Sequence, residues 1–105
     1  MVSPENAFLL IRGWFDRTDK VRACISLDEE TRCVVTGFIV SMDGTRLTVN
    51  DGEASGMVVD LANATFAYSN DRDFEKASNK PTEAISDVLR VRLSSGLNFF
   101  LAVLK

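Results

Sequence analysis

Residues 31–50 read TRCVVTGFIVSMDGTRLTVN, and the reading of this stretch decides the fold. It is a long apolar-alternating run, a glycine at 37, an Asp43-Gly44 pair and a second alternating run. Asp-Gly between such runs signals a tight hairpin, because both residues tolerate the positive φ of a type I′ turn. A two-residue loop at Asp43-Gly44 sets Met42 opposite Thr45, Val40 opposite Leu47 and Phe38 opposite Val49. That register predicts Phe38, Val40, Met42, Leu47 and Val49 on the core face, with Ile39, Ser41, Arg46 and Thr48 on the other.

Upstream, Lys20–Leu27 alternates with Val21, Ala23, Ile25 and Leu27 on one face. A loop at Asp28-Glu29-Glu30 pairs Leu27 with Thr31, Ile25 with Cys33 and Ala23 with Val35. The inward set is then odd-numbered before Gly37 and even-numbered after it. One extra residue must be absorbed, and a bulge or sharp bend at Gly37 is the expected place. A long strand bent in this way predicts a strongly curved antiparallel sheet or a partly open small β-barrel. In this register Cys33 faces the core and Cys24 faces away, a poor arrangement for a disulfide between adjacent strands.

The N-terminal segment predicts a helix over residues 3–16. Ser3 is a natural N-cap, Pro4 suits the first helical position, and Glu5 places an acid in the first turn. Ala7, Phe8, Leu10, Ile11, Trp14 and Phe15 follow at helical spacing and form an apolar face to pack on the sheet. Beyond the central hairpin, strands are expected over residues 57–61 and 64–68, either separated by a turn at Ala62-Asn63 or continuous as one bent strand. Residues 69–86 then lose the apolar pattern, with Phe74 and Ile85 as the only anchors. They read as a polar, mobile excursion with a helical turn or two around residues 71–77.

The chain closes on a second hairpin, residues 87–93 and 97–104 about Ser94-Ser95-Gly96. A three-residue loop ending in glycine suits a type I turn with a G1 bulge. It pairs Leu93 with Leu97, Val91 with Phe99 and Leu89 with Leu101. The opposite face carries Arg90, Arg92 and Asn98, but also Phe100, Ala102 and Leu104. A final strand apolar on both faces must be covered by the helix, lie centrally in the sheet, or form an interface between subunits. Phe100, Ala102 and Leu104 are the candidate interface residues. The fold class is thus α+β, mainly β: one helix on a bent sheet of about six strands in a single domain.

Composition bounds the function. The 105 residues are 46% hydrophobic and 26% charged with a net charge of −3, which fits one ordinary globular domain and not a basic nucleic-acid binder. No apolar run approaches a membrane span, and no signal-peptide pattern opens the chain. With two cysteines, a cytoplasmic location is expected. There is no histidine, which removes Ser-His-Asp and Cys-His catalysis and the commonest metal ligand. No CxxC, Walker or GxGxxG motif occurs. The Gly52–Gly56 loop is flanked by Asp51 and Glu53, which repel phosphate.

Asp71, Asp73 and Glu75 alternate like the start of a calcium loop. Lys76 and Thr82, however, occupy its glycine and glutamate positions, so no metal or cofactor is expected. Asp60 with Asp51 is the one carboxylate pair considered for catalysis, and no enzyme activity is expected from it.

Within the central stretch, Gly37, Ile39, Met42 and Asp43 match the glycine, aliphatic, hydrophobic and aspartate spacing of the first Sm motif. A short helix before a bent sheet likewise resembles the Sm-like arrangement. Leu47 stands where that motif's asparagine is expected, and the second motif's arginine-glycine is absent near the C-terminus. The resemblance implies a five-stranded sheet and a ring-forming protein with an RNA or interaction surface, and it carries over no binding residue.

Two functional expectations follow. The first is a non-enzymatic interaction or oligomerisation module that binds a second copy or another protein, and no membrane. The alternative is single-stranded nucleic-acid or nucleotide binding through Arg90, Arg92 and Phe100, with Arg22 nearby, a basic-aromatic strand face.

Overall fold

In the computed structural model, residues 2–28, 30–70, 72, 74 and 85–104 are described. One helix, α1 (Pro4–Asp16), precedes strands β1 (Lys20–Leu27), β2 (Glu30–Asp43), β3 (Arg46–Asn50), β4 (Gly56–Asp60), β5 (Thr65–Tyr68), β6 (Ile85–Arg92) and β7 (Asn98–Leu104). The strands form a single antiparallel sheet in the order β4-β3-β2-β1-β7-β6-β5. The sheet has seven strands, against about six expected and five implied by the Sm resemblance, and it is not closed into a barrel.

The curvature follows from the connectivity. β4 and β5 lie at opposite edges of the sheet, yet only residues 61–64 join them. Laid flat, six strand spacings of about 4.8 Å would separate these edges by roughly 29 Å. The five Cα steps from Asp60 to Thr65 reach at most about 18 Å. The sheet must therefore curl, and α1 packs on its concave face. Ala7, Ile11 and Trp14 enter one apolar cluster with Val21, Ala23, Val35, Ile39, Leu47, Val49, Met57, Val59, Phe66, Leu89, Val91, Phe99 and Leu101. Phe8 meets Phe66 edge to face at 5.7 Å between ring centres.

Both helix ends are closed locally. The Ser3 hydroxyl accepts from the Asn6 N–H at 3.2 Å. At the other end Thr18 takes φ 56°, the Thr18 N–H donates to the Phe15 carbonyl, and the Asp19 N–H donates to the Trp14 carbonyl. This is a Schellman arrangement with threonine where glycine is favoured. The Val2 N–H donates to the Phe66 carbonyl at 2.9 Å, which ties the N-terminus to the outer edge of β5.

The central hairpin differs from expectation by one residue at each of two places. Asp43 pairs with Arg46 and Met42 with Leu47, so the loop is Gly44-Thr45 rather than Asp43-Gly44. Positive φ occurs at Gly44 alone of these two, as in a II′-like turn with glycine at the first central position. This leaves Asp43 in the strand opposite Arg46, a favourable cross-strand charge pair.

The parity change is real, but it lies between Ile39 and Ser41, at Val40, rather than at Gly37. Ile39 is therefore buried, and Phe38 and Val40 are exposed. Gly37 is required for a different reason: a Cβ there would sit 2.0 Å from the Asn50 carbonyl oxygen. The bend brings the end of β3 onto the backbone of β2, and only glycine leaves room.

The cysteine assignment also reverses. Cys24 is fully buried and Cys33 is exposed; both are free thiols. Ile25 pairs with Cys33 and Ala23 with Val35 as expected, but Leu27 pairs with Glu30 rather than Thr31, because the register shifts between Ile25 and Ser26. The reversal arises because β1 is central and covered on both faces, whereas Cys33 lies near the hairpin tip. The C-terminal hairpin has the expected register: Val91 opposite Phe99, Leu89 opposite Leu101, and the Leu93 N–H donating to the Leu97 carbonyl, with Gly96 at φ 93°.

Candidate functional site

The convex face of the sheet divides in two. Over β1, β7 and β6 a second apolar cluster covers it, made of Cys24, Phe74, Ile85, Val88, Phe100, Ala102 and Leu104, with Val34 at its margin. Phe74 stacks at a tilt on Phe100 with ring centres 6.4 Å apart. Phe74 and Ile85, the two anchors of the polar excursion, are both buried. Residues 71, 73 and 75–84 of that excursion, which include the calcium-like Asp71, Asp73 and Glu75 and most of the stretch expected to be mobile, lie outside the described residues.

The last strand is thus apolar on both faces because it is central. Phe100 is 7% exposed, Ala102 is fully buried, and Leu104 is buried. These three side chains make contacts within the chain and offer little surface to a partner. Burial pushes the Cys24 thiol up to about 12, opposed by a backbone hydrogen bond from Phe100 and reinforced by Cys33.

Arg90 and Arg92 point from β6 to the same convex face and are exposed. Arg90 lies across from Ala67 and Phe100, and Arg92 across from Thr65 and Asn98. Phe100 is beneath Phe74 and cannot serve as an open stacking platform. Arg22 is buried, and its Nε–H donates to the Thr36 hydroxyl at 2.9 Å. The basic-aromatic constellation therefore resolves into two exposed guanidiniums, a covered ring and a buried, hydrogen-bonded arginine.

The other half of the convex face, over the C-terminal part of β2 and over β3 and β4, has no such cover among the described residues. Phe38 (40% exposed), Val40 (46%) and Val58 (63%) stand here. The ladders place Ser41, Thr48 and Val58 in one row and Phe38, Asn50 and Gly56 in the next. Phe38 and Val40 were expected in the core. The run Phe38-Ile39-Val40 carries no parity of its own, so sequence alone could not say which of the three faces inward.

This flank ends at an open edge. Among the described residues β4 pairs only with β3. The Leu61 N–H donates to the Thr45 carbonyl at 2.8 Å, which fixes the alternation of the ladder. Met57, Val59 and Leu61 therefore turn their backbone groups to β3, and Gly56, Val58 and Asp60 turn theirs outward. All three outward residues are exposed, and the strand contains no proline, lysine or bulge to guard the edge. The opposite edge, at β5, is engaged by Val2.

The two carboxylates weighed for catalysis each organise their own turn. Asp60 Oδ1 accepts from the Thr45 hydroxyl at 2.8 Å and from the Ala62 N–H at 3.0 Å. The Ala62 N–H, then the Thr45 hydroxyl, and to a lesser degree Arg46, hold its carboxyl below the usual range. Asp51 Oδ1 accepts from the N–H groups of Glu53 (2.8 Å) and Ser55 (3.3 Å). Among the described residues no cluster of three or more potential metal ligands occurs, and no helix is long and apolar enough to cross a membrane.

Comparison with family models, curated proteins and solved structures finds no match to this chain, the Sm family included.

Proposed function

We propose that this protein is a non-enzymatic interaction module whose contact surface is the β2–β3–β4 flank, with the outer edge of β4 as its pairing element. The observation that carries this reading is the open edge: outward backbone groups at Gly56, Val58 and Asp60 beside exposed Phe38, Val40 and Val58. An added strand gains main-chain hydrogen bonds from such an edge and side-chain contacts from the adjoining apolar face. Two free cysteines fit a reducing, cytoplasmic setting.

The test uses a synthetic peptide of alternating valine and threonine as an extended-strand probe, with an N-methylated version that cannot pair. The unmethylated peptide should shift the amide NMR signals of Gly56, Val58 and Asp60, and the methylated one should leave them in place. Absence of any response at β4 to the pairing-competent peptide would refute the module.

A further inference from the structure

We infer that the occupant of the β4 edge is β4 of a second copy of this chain, paired antiparallel about a two-fold axis at Val58; this rests on the reading of the edge as a pairing element. The argument is one of self-complementarity. The outward backbone groups sit at Gly56, Val58 and Asp60, symmetric about Val58. Rotation about an axis at Val58 sets Val58 against the partner's Val58, Gly56 against the partner's Asp60, and Asp60 against the partner's Gly56. All three outward N–H and C=O pairs in each copy then find partners, which is the isologous pattern of a two-fold contact.

The side chains agree with this register. Asp60, the only charged residue of the strand, falls opposite glycine and so meets neither a like charge nor a bulky group. Its carboxylate is already bound to the Thr45 hydroxyl and the Ala62 N–H of its own chain, and Arg46 stands across the ladder from it. Val58 meets Val58 on the convex face, and the two exposed flanks join into one apolar band across a continuous sheet. Sliding the partner by two residues would leave one outward residue of each copy unpaired and move the valines off the axis.

The contact is small. A five-residue edge with its flanking side chains falls at or below the roughly 1,200 Å² that separates weak from stable protein–protein interfaces. The dimer is accordingly reversible and forms as concentration rises.

Light scattering across a concentration series should show the mean mass rising from 11.6 kDa toward twice that value. Val58→Pro removes only the outward N–H, so it should hold the mass at one chain with the circular dichroism spectrum unchanged. Val58→Lys, which keeps the N–H but brings two cations to the axis, gives the same expected result if the proline variant fails to fold.

The register is read by cross-linking. In a Cys33→Ser background, Val58→Cys should form a disulfide-linked dimer on mild oxidation, because the two Cα atoms would lie about 5.5 Å apart. Asp43→Cys in the same background should not. A constant single-chain mass at every concentration, with no Val58→Cys dimer, overturns the second-copy inference. The module reading would then stand or fall on the strand-peptide titration alone, since that response does not depend on self-association. Dimers that survive both Val58→Pro and Val58→Lys would overturn the inference as well.

Discussion

The two halves of the convex face are built from the same kind of strand but end in opposite states. Over β1, β7 and the N-terminal part of β6 the sheet is covered by the cluster around Phe74 and Phe100, with Arg90 and Arg92 exposed at its margin. Over β2, β3 and β4 it keeps Phe38, Val40 and Val58 in solvent and ends in an edge with no partner strand among the described residues. Apolar composition alone does not separate the two halves. Strand order does: β7 is apolar on both faces because it sits between β1 and β6, and β4 is half-exposed because no described strand follows it in the sheet. The first half carries a second apolar cluster on its convex side, and exposed apolar surface is left on the second.

The comparison is sharpest at the seam between the halves, Gly37. Gly37→Ala places a methyl 2.0 Å from the Asn50 carbonyl oxygen, a backbone atom that cannot move without unpairing β3. The expected cost exceeds about 4 kcal/mol, enough to remove most of the stability of an ordinary domain, and chemical denaturation would measure it. A variant as stable as the parent would show that β3 does not close onto β2 as described.

A direct contrast follows between one residue from each half. Phe100→Ala should cost about 3–5 kcal/mol, because it empties a covered cluster. Val58→Ala should stay within about 0.5 kcal/mol, as for an exposed side chain. Equal costs would erase the distinction between the halves.

The cysteines give a smaller and independent contrast. Cys33 should react with a thiol reagent in the native protein, and Cys24 only after unfolding. The Cys24 thiol has its pKa raised in the folded state from 9.0 to about 12. A raised value means that the native state holds the proton longer than the unfolded state. Its contribution is therefore present below pH 9.0 and is lost as pH rises toward about 12. Cys24→Ala should flatten this part of the alkaline loss, and Cys33→Ser, which removes only the smallest of the three causes, should reduce it slightly.

A further modest effect lies outside both halves. Thr18 holds φ 56° at the end of α1, where a β-branched residue is strained. Thr18→Gly should raise stability by up to about 1 kcal/mol in a thermal melt, with the greater freedom of the unfolded glycine offsetting part of the gain.

The α+β, mainly β class and the antiparallel, strongly bent sheet were legible because local chemistry and periodicity agreed. Ser3-Pro4-Glu5 marks a helix start, and the Ser94-Ser95-Gly96 loop sets the register of Leu89, Val91 and Leu93 against apolar partners at matching parity. The central hairpin was less legible for a physical reason. Asp43-Gly44 can supply either both central residues of a turn or, with Thr45, only the glycine of one. The apolar triplet Phe38-Ile39-Val40 then accepts a bulge at any of its members.

The same ambiguity hid the candidate site, since it assigned Phe38 and Val40 to the core. Phe100, Ala102 and Leu104 drew attention as a two-sided apolar strand, but the sequence does not encode strand order, and order is what buries them. Cys24 and Cys33 exchanged roles through the same omission. Arg90 and Arg92 are exposed as the pattern suggested, whereas the cover that Phe74 provides over Phe100 comes from a segment with almost no apolar periodicity.

The most direct test of the asymmetry is residue-resolved amide hydrogen exchange on dilute protein. Phe99–Leu104 should be among the slowest-exchanging amides of the chain. β4 should alternate, with Gly56, Val58 and Asp60 fast and Met57, Val59 and Leu61 protected. Uniform protection along β4 at high dilution, or fast exchange through β7, would contradict the division between a closed half and an open edge.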